Sequence, residues 1–84
     1  MLMPRDTYKY ELKQGNKVVY AGITNNPTQR ETQHRQEKNF DKMQVIGRVS
    51  SRESAEKWET DRLETYMRNH SGELPKYNKT ATGK

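Results

Sequence analysis

The chain has 84 residues, with sixteen Lys and Arg against eleven Asp and Glu, a net charge of +5 and a pI near 9.6. Leu, Ile, Val and Phe make up about 13% of it, below the ~20% at which disorder competes with folding, yet five Tyr, four Met and one Trp add core-capable bulk, so one small domain with a thin core is expected. The absence of Cys excludes disulfides, thiolate metal sites and Cys nucleophiles and points to a reducing compartment, the cytoplasm of a bacterium or of a phage-infected cell.

Thr7 to Lys13 alternates aromatic or aliphatic residues with charged ones, the period of a half-buried strand. Gln14-Gly15-Asn16 supplies a turn, and Lys17 to Ile23 reads as a second strand, more continuously apolar and so expected to be the more central of the pair. Asn26 and Pro27 open a helix as N-cap and first helical residue. That helix runs to about Lys38 and contains no aliphatic or aromatic residue, so it must be weakly anchored or must put its polar side chains to use.

Met43 to Val49 reads as a third strand. Ser50, three residues before Glu53, predicts a capping box for a long helix from about Arg52 to Asn69, which Ser71-Gly72 ends. Pro75 to Asn78 is a short extended return. The expected architecture is α+β, a three-stranded antiparallel or mixed sheet with helices in the order β-β-α-β-α. Residues 1–78 form the domain and 79–84 a disordered tail.

Several residues sit oddly for structure alone. On the long helix Ala55, Trp58, Leu63, Tyr66 and Met67 define an apolar stripe, and Glu59 lies inside it. A carboxylate there must pair with a Lys or Arg from a strand, bind a metal, or reach past its neighbours to water. Arg30, His34 and Lys38 form a basic stripe on the polar helix, which is either a solvated surface or a phosphate-facing one. Tyr8 and Tyr10 share one side of the first strand, Lys9 takes the other, and Tyr20 lies on the paired strand. No phosphate-binding Gly loop, zincin motif or nucleophile elbow is present. A basic balance favours a polyanionic partner, and no segment pairs a basic face with an apolar one as a membrane-surface helix would.

The spacing of Tyr8-Lys9-Tyr10, Tyr20-Ala21-Gly22, Arg30 and His34, followed by Ala55 with Glu59 and by Pro75-Lys76-Tyr77-Asn78, resembles the GIY-YIG nuclease family. The likeness spans residues 8–78, with Tyr8 and Lys9 in the first tripeptide where the family has Gly and Ile, and Ala21 where the second has Ile. The resemblance implies a Mg²⁺-dependent DNA endonuclease, with Mn²⁺ as a substitute, in which Glu59 is the metal ligand. Tyr10 or Tyr20 would be the general base, its phenol lowered by nearby Arg and metal charge. Arg30 would clamp the phosphate and His34 would orient the Tyr hydroxyl or the water. Tyr8, Gly22 and Asn78 would support the site, and Lys9, Arg35, Lys38 and Lys42 would contact DNA.

No small-molecule cofactor and no membrane partner is expected, and the chain should act as a monomer or weak homodimer that nicks with low sequence specificity. Two other classes stay open: a catalytically inactive nucleic-acid-binding module of the same fold, and a small protein-interaction domain.

Overall fold

Residues 5–78 are described by the computed structural model, and the tail expected over 79–84 lies outside them. Strands β1 (Thr7–Gln14) and β2 (Lys17–Thr24) form the expected hairpin, turned at Gly15, whose φ of 63° is a left-handed conformation that glycine adopts without strain. Helix α1 (Pro27–Glu37), strand β3 (Lys42–Ser50) and helix α2 (Arg52–Asn69) complete the order β-β-α-β-α. All pairing is antiparallel, and the fold is α+β.

The strand order β2-β1-β3 corrects one expectation: β1 is central and the more apolar β2 lies at an edge. The reason is that β2's outer edge is covered. The Tyr77 amide donates to the Val19 carbonyl at 2.8 Å. The Ala21 amide donates to Asn78 Oδ1 at 2.9 Å, and Asn78 Nδ2 donates back to the Ala21 carbonyl at 3.0 Å. The C-terminal return thus satisfies the edge as a fourth strand would, and β2 is buried without being central.

Alternation along β1 sends consecutive residues to opposite faces. Tyr10 and Leu12 join Val19 and Phe40 in a core on one face, flanked by Tyr20, Met43 and Tyr77. The register between β1 and β2 shifts after Leu12, which pairs with Tyr20 while Lys13 pairs with Val18. Val19 is the extra residue of this bulge, and it enters the core. On the other face Glu11 is buried and ion-paired with Arg62 of α2. The sequence gives no hint of this pair, because Glu11 reads as the solvent side of an alternating strand.

Ser51, not Ser50, caps α2: its hydroxyl accepts from the Ser54 amide at 3.2 Å, while Ser50 is the last residue of β3. Ser71 and Gly72 both have positive φ, 57° and 86°, and the Gly72 amide closes the helix end on the Met67 carbonyl. The buried face of α2 is Ala55, Glu59, Leu63 and Tyr66, with Trp58 and Met67 half-buried.

Candidate active site

The polar helix is fastened by a histidine. His34 is the only buried residue of α1, and its Nε2 is 2.7 Å from the Tyr10 hydroxyl. Its ring also lies against Tyr20, with centroids 4.9 Å apart, so a polar contact does the anchoring that an apolar stripe does elsewhere. The Asn26 side chain starts the helix by accepting from the Gln29 amide at 3.1 Å.

Tyr10 and Tyr20 stack with centroids 5.9 Å apart, and a hydrogen bond joins their hydroxyls. Gly22 makes this possible. A methyl group there would meet Tyr20 Cε1 at 2.7 Å and the Tyr10 hydroxyl at 2.8 Å. Both rings therefore close over the backbone of β2, and the Tyr10 hydroxyl emerges above the edge strand instead of the sheet centre. From α2, buried Glu59 acts electrostatically on both phenols there. One turn along the helix, Arg62 pairs with Glu11 of β1.

Burial dominates the electrostatics. It pushes the Tyr10 hydroxyl well above the ordinary phenol range, and Tyr20 and Glu59 push it further, with Arg30 opposing. Tyr20 is raised too, first by burial. In the metal-free chain Arg30 pulls both phenols down, but loss of water outweighs it. Burial, then Lys38 and Arg30, lowers His34 to about 4, so it is neutral at pH 7. His34 Nδ1 is buried without a partner among the described residues. Arg30 is exposed and takes part in no ion pair among them.

The structure thus brings together Tyr10, Tyr20, His34 and Gly22, with the charges of Arg30 and Glu59 acting on the phenols. Asn78 is placed behind them, on Ala21 of β2. Of the four expected DNA contacts, Lys38 alone is there, with Nζ 5.2 Å from the Tyr20 ring centroid. Arg35 is engaged in structure: it pairs with Glu31 at 2.9 Å and lies 4.6 Å over the Phe40 ring. Lys9 takes the opposite face from Tyr10, beside Gly47 of β3, and Lys42 is exposed at the start of β3. Tyr8 is half-buried opposite Thr24, a step away from the ring cluster.

The donor set fits one kind of cation. Among the described residues no group of three or more His, Asp or Glu side chains converges. A hard ion that keeps most of its waters can nonetheless be held by a single carboxylate and a substrate phosphate. Glu59 is a buried carboxylate of that type whose charge acts on both phenols. Comparison with family models, with curated proteins and with solved structures finds no match to the chain. Among the described residues no helix is long and apolar enough to cross a membrane.

Proposed function

We propose that this protein is a divalent-metal-dependent DNA endonuclease of the GIY-YIG kind, cutting one strand at a time. One observation carries the reading: the hydrogen-bonded line from His34 through Tyr10 to Tyr20, dry at the histidine and half-open at Tyr20, with cations and a buried carboxylate around it.

In this reading Tyr20 meets the attacking water. The water's proton passes to the Tyr20 oxygen as the Tyr20 proton moves to Tyr10 and the Tyr10 proton to His34 Nε2. The nucleophile loses one proton and the imidazole gains one, so neither phenol has to ionise. The low proton affinity of His34 opposes the step in the free protein. A bound phosphate brings negative charge that favours the imidazolium, which couples proton transfer to substrate binding. Arg30, exposed and in no ion pair among the described residues, clamps the non-bridging oxygens with its planar fork. Glu59 would hold Mg²⁺, which supplies charge neutralisation at the phosphate and the leaving 3′ oxygen.

The test is nicking of supercoiled plasmid by wild type, Glu59→Gln and Arg30→Ala, each with Mg²⁺ and with EDTA. Wild-type activity should need Mg²⁺ and fall at least ~100-fold in both variants. Because Arg30 is exposed, its loss should leave the thermal midpoint unchanged. Equal activity in all three proteins would sink the reading. The raised phenols favour one rival, a non-catalytic nucleic-acid-binding module. It would show no cleavage in any protein, and Glu59→Gln would bind DNA as well as wild type or better.

A further inference from the structure

A second hollow lies at the other end of α2, and none of the residues discussed above as catalytic lines it. Gln14, Asn16, Lys17 and Val18 of the hairpin form one wall, and Arg62, Tyr66, Asn69 and His70 the other, around about 540 Å³. We infer that this hollow is a binding site for an unpaired nucleobase of a DNA strand, stacked on His70.

The inference rests on geometry and chemistry. The His70 ring lies flat on Tyr66, with centroids 3.7 Å apart and planes 6° apart. His70 Nδ1 is 2.7 Å from the Tyr66 carbonyl, which fixes the ring's orientation. Tyr66 is buried and His70 exposed, so one face of the imidazole is covered and the other is offered to a ligand. A rigid, solvent-facing aromatic shelf is what a base requires for stacking.

The rim supplies the rest. Gln14, Asn16 and Asn69 carry side-chain amides, each both donor and acceptor, matched to the mixed edge of a base. Lys17 brings positive charge, Arg62 is held by its pair with Glu11, and among the described residues no carboxylate lines the hollow. The wall formed by Asn69 and His70 is the C-terminal end of α2, whose partial negative charge disfavours a bare anion. It favours a planar group that carries amino donors. The combination selects a base with its phosphate near Lys17 over a phosphate alone.

The inference rests on the DNA reading for the source of the base. On β1, Tyr10 and Gln14 are separated by four residues, about 13 Å of extended chain, so one strand passing round the hairpin can engage both sites. Such an arrangement would direct cleavage to junctions between paired and unpaired DNA.

The experiment is an NMR titration of the folded protein in EDTA with a single-stranded tetradeoxyadenylate, with deoxyadenosine monophosphate and with inorganic phosphate. The tetranucleotide should shift the amides of Asn16, Asn69 and His70 and move the His70 ring protons upfield. His70→Ala, a surface change, should weaken tetranucleotide binding about tenfold, the worth of one base–aromatic stack. The inference is overturned if phosphate alone produces the same shifts, if His70→Ala binds within twofold of wild type, or if only residues around Tyr20 respond. Equal affinity for the monophosphate and the tetranucleotide would make the ligand a free nucleotide and overturn the strand assignment. Nothing here reads cleavage, so loss of these shifts leaves the nicking result standing, and failure of nicking leaves these shifts standing.

Discussion

His34 and Gly22 each hold the cluster together by giving something up. His34 exchanges water for one hydrogen bond to Tyr10, and its pKa falls from 6.5 to about 4. The unfolded chain therefore binds a proton that the folded one refuses. Stability is complete above pH 6.5 and declines as pH falls toward 4, by an amount on the order of 3 kcal/mol. Urea melts across this range should show that decline, and His34→Gln, which can still bond Tyr10, should flatten it. At Gly22 there is room for hydrogen only. Gly22→Ala should cost about 1–3 kcal/mol through overpacking of the two tyrosines and should lower nicking more than DNA binding, as read by melts, plasmid nicking and gel shift. Of these two residues, the sequence made His34 legible through its spacing from Arg30 and Lys38. Gly22 was legible only through the family pattern, since its reason, two rings folded back over it, depends on cross-strand register.

The helices are unequal partners of the sheet. Helix α2 buries four residues, Ala55, Glu59, Leu63 and Tyr66, and is tied to β1 by the Glu11–Arg62 pair. Helix α1 buries one. Its backbone amides should exchange with solvent well before those of α2, because few buried contacts oppose local opening. Asn26→Ala should speed exchange over Pro27–Glu37 further by removing a cap worth about 1 kcal/mol, with the amides of α2 unaffected in the same mass-spectrometric run. Existence and order of these elements could be read from periodicity and caps. The central strand could not, because β2's apolar run reports coverage by Tyr77 and Asn78, a contact across more than fifty residues, and local pattern carries no information about it.

At the scale of the molecule the net charge of +5 is not gathered at one place, with Lys9 and Lys42 away from the tyrosine cluster. DNA affinity should fall log-linearly with salt, with a slope of about 0.9 per phosphate neutralised, and Arg30→Ala should reduce that slope by about one, as measured by fluorescence anisotropy between low and physiological salt. The edge closure has a consequence in time. Tyr77 binds Val19 through its amide and Asn39 through its hydroxyl, and Asn78 grips Ala21. The ribosome delivers these two residues long after the tyrosines, arginine and histidine they brace. A growing chain therefore holds these side chains on an unsealed strand until Tyr77 and Asn78 have been made and can close its edge.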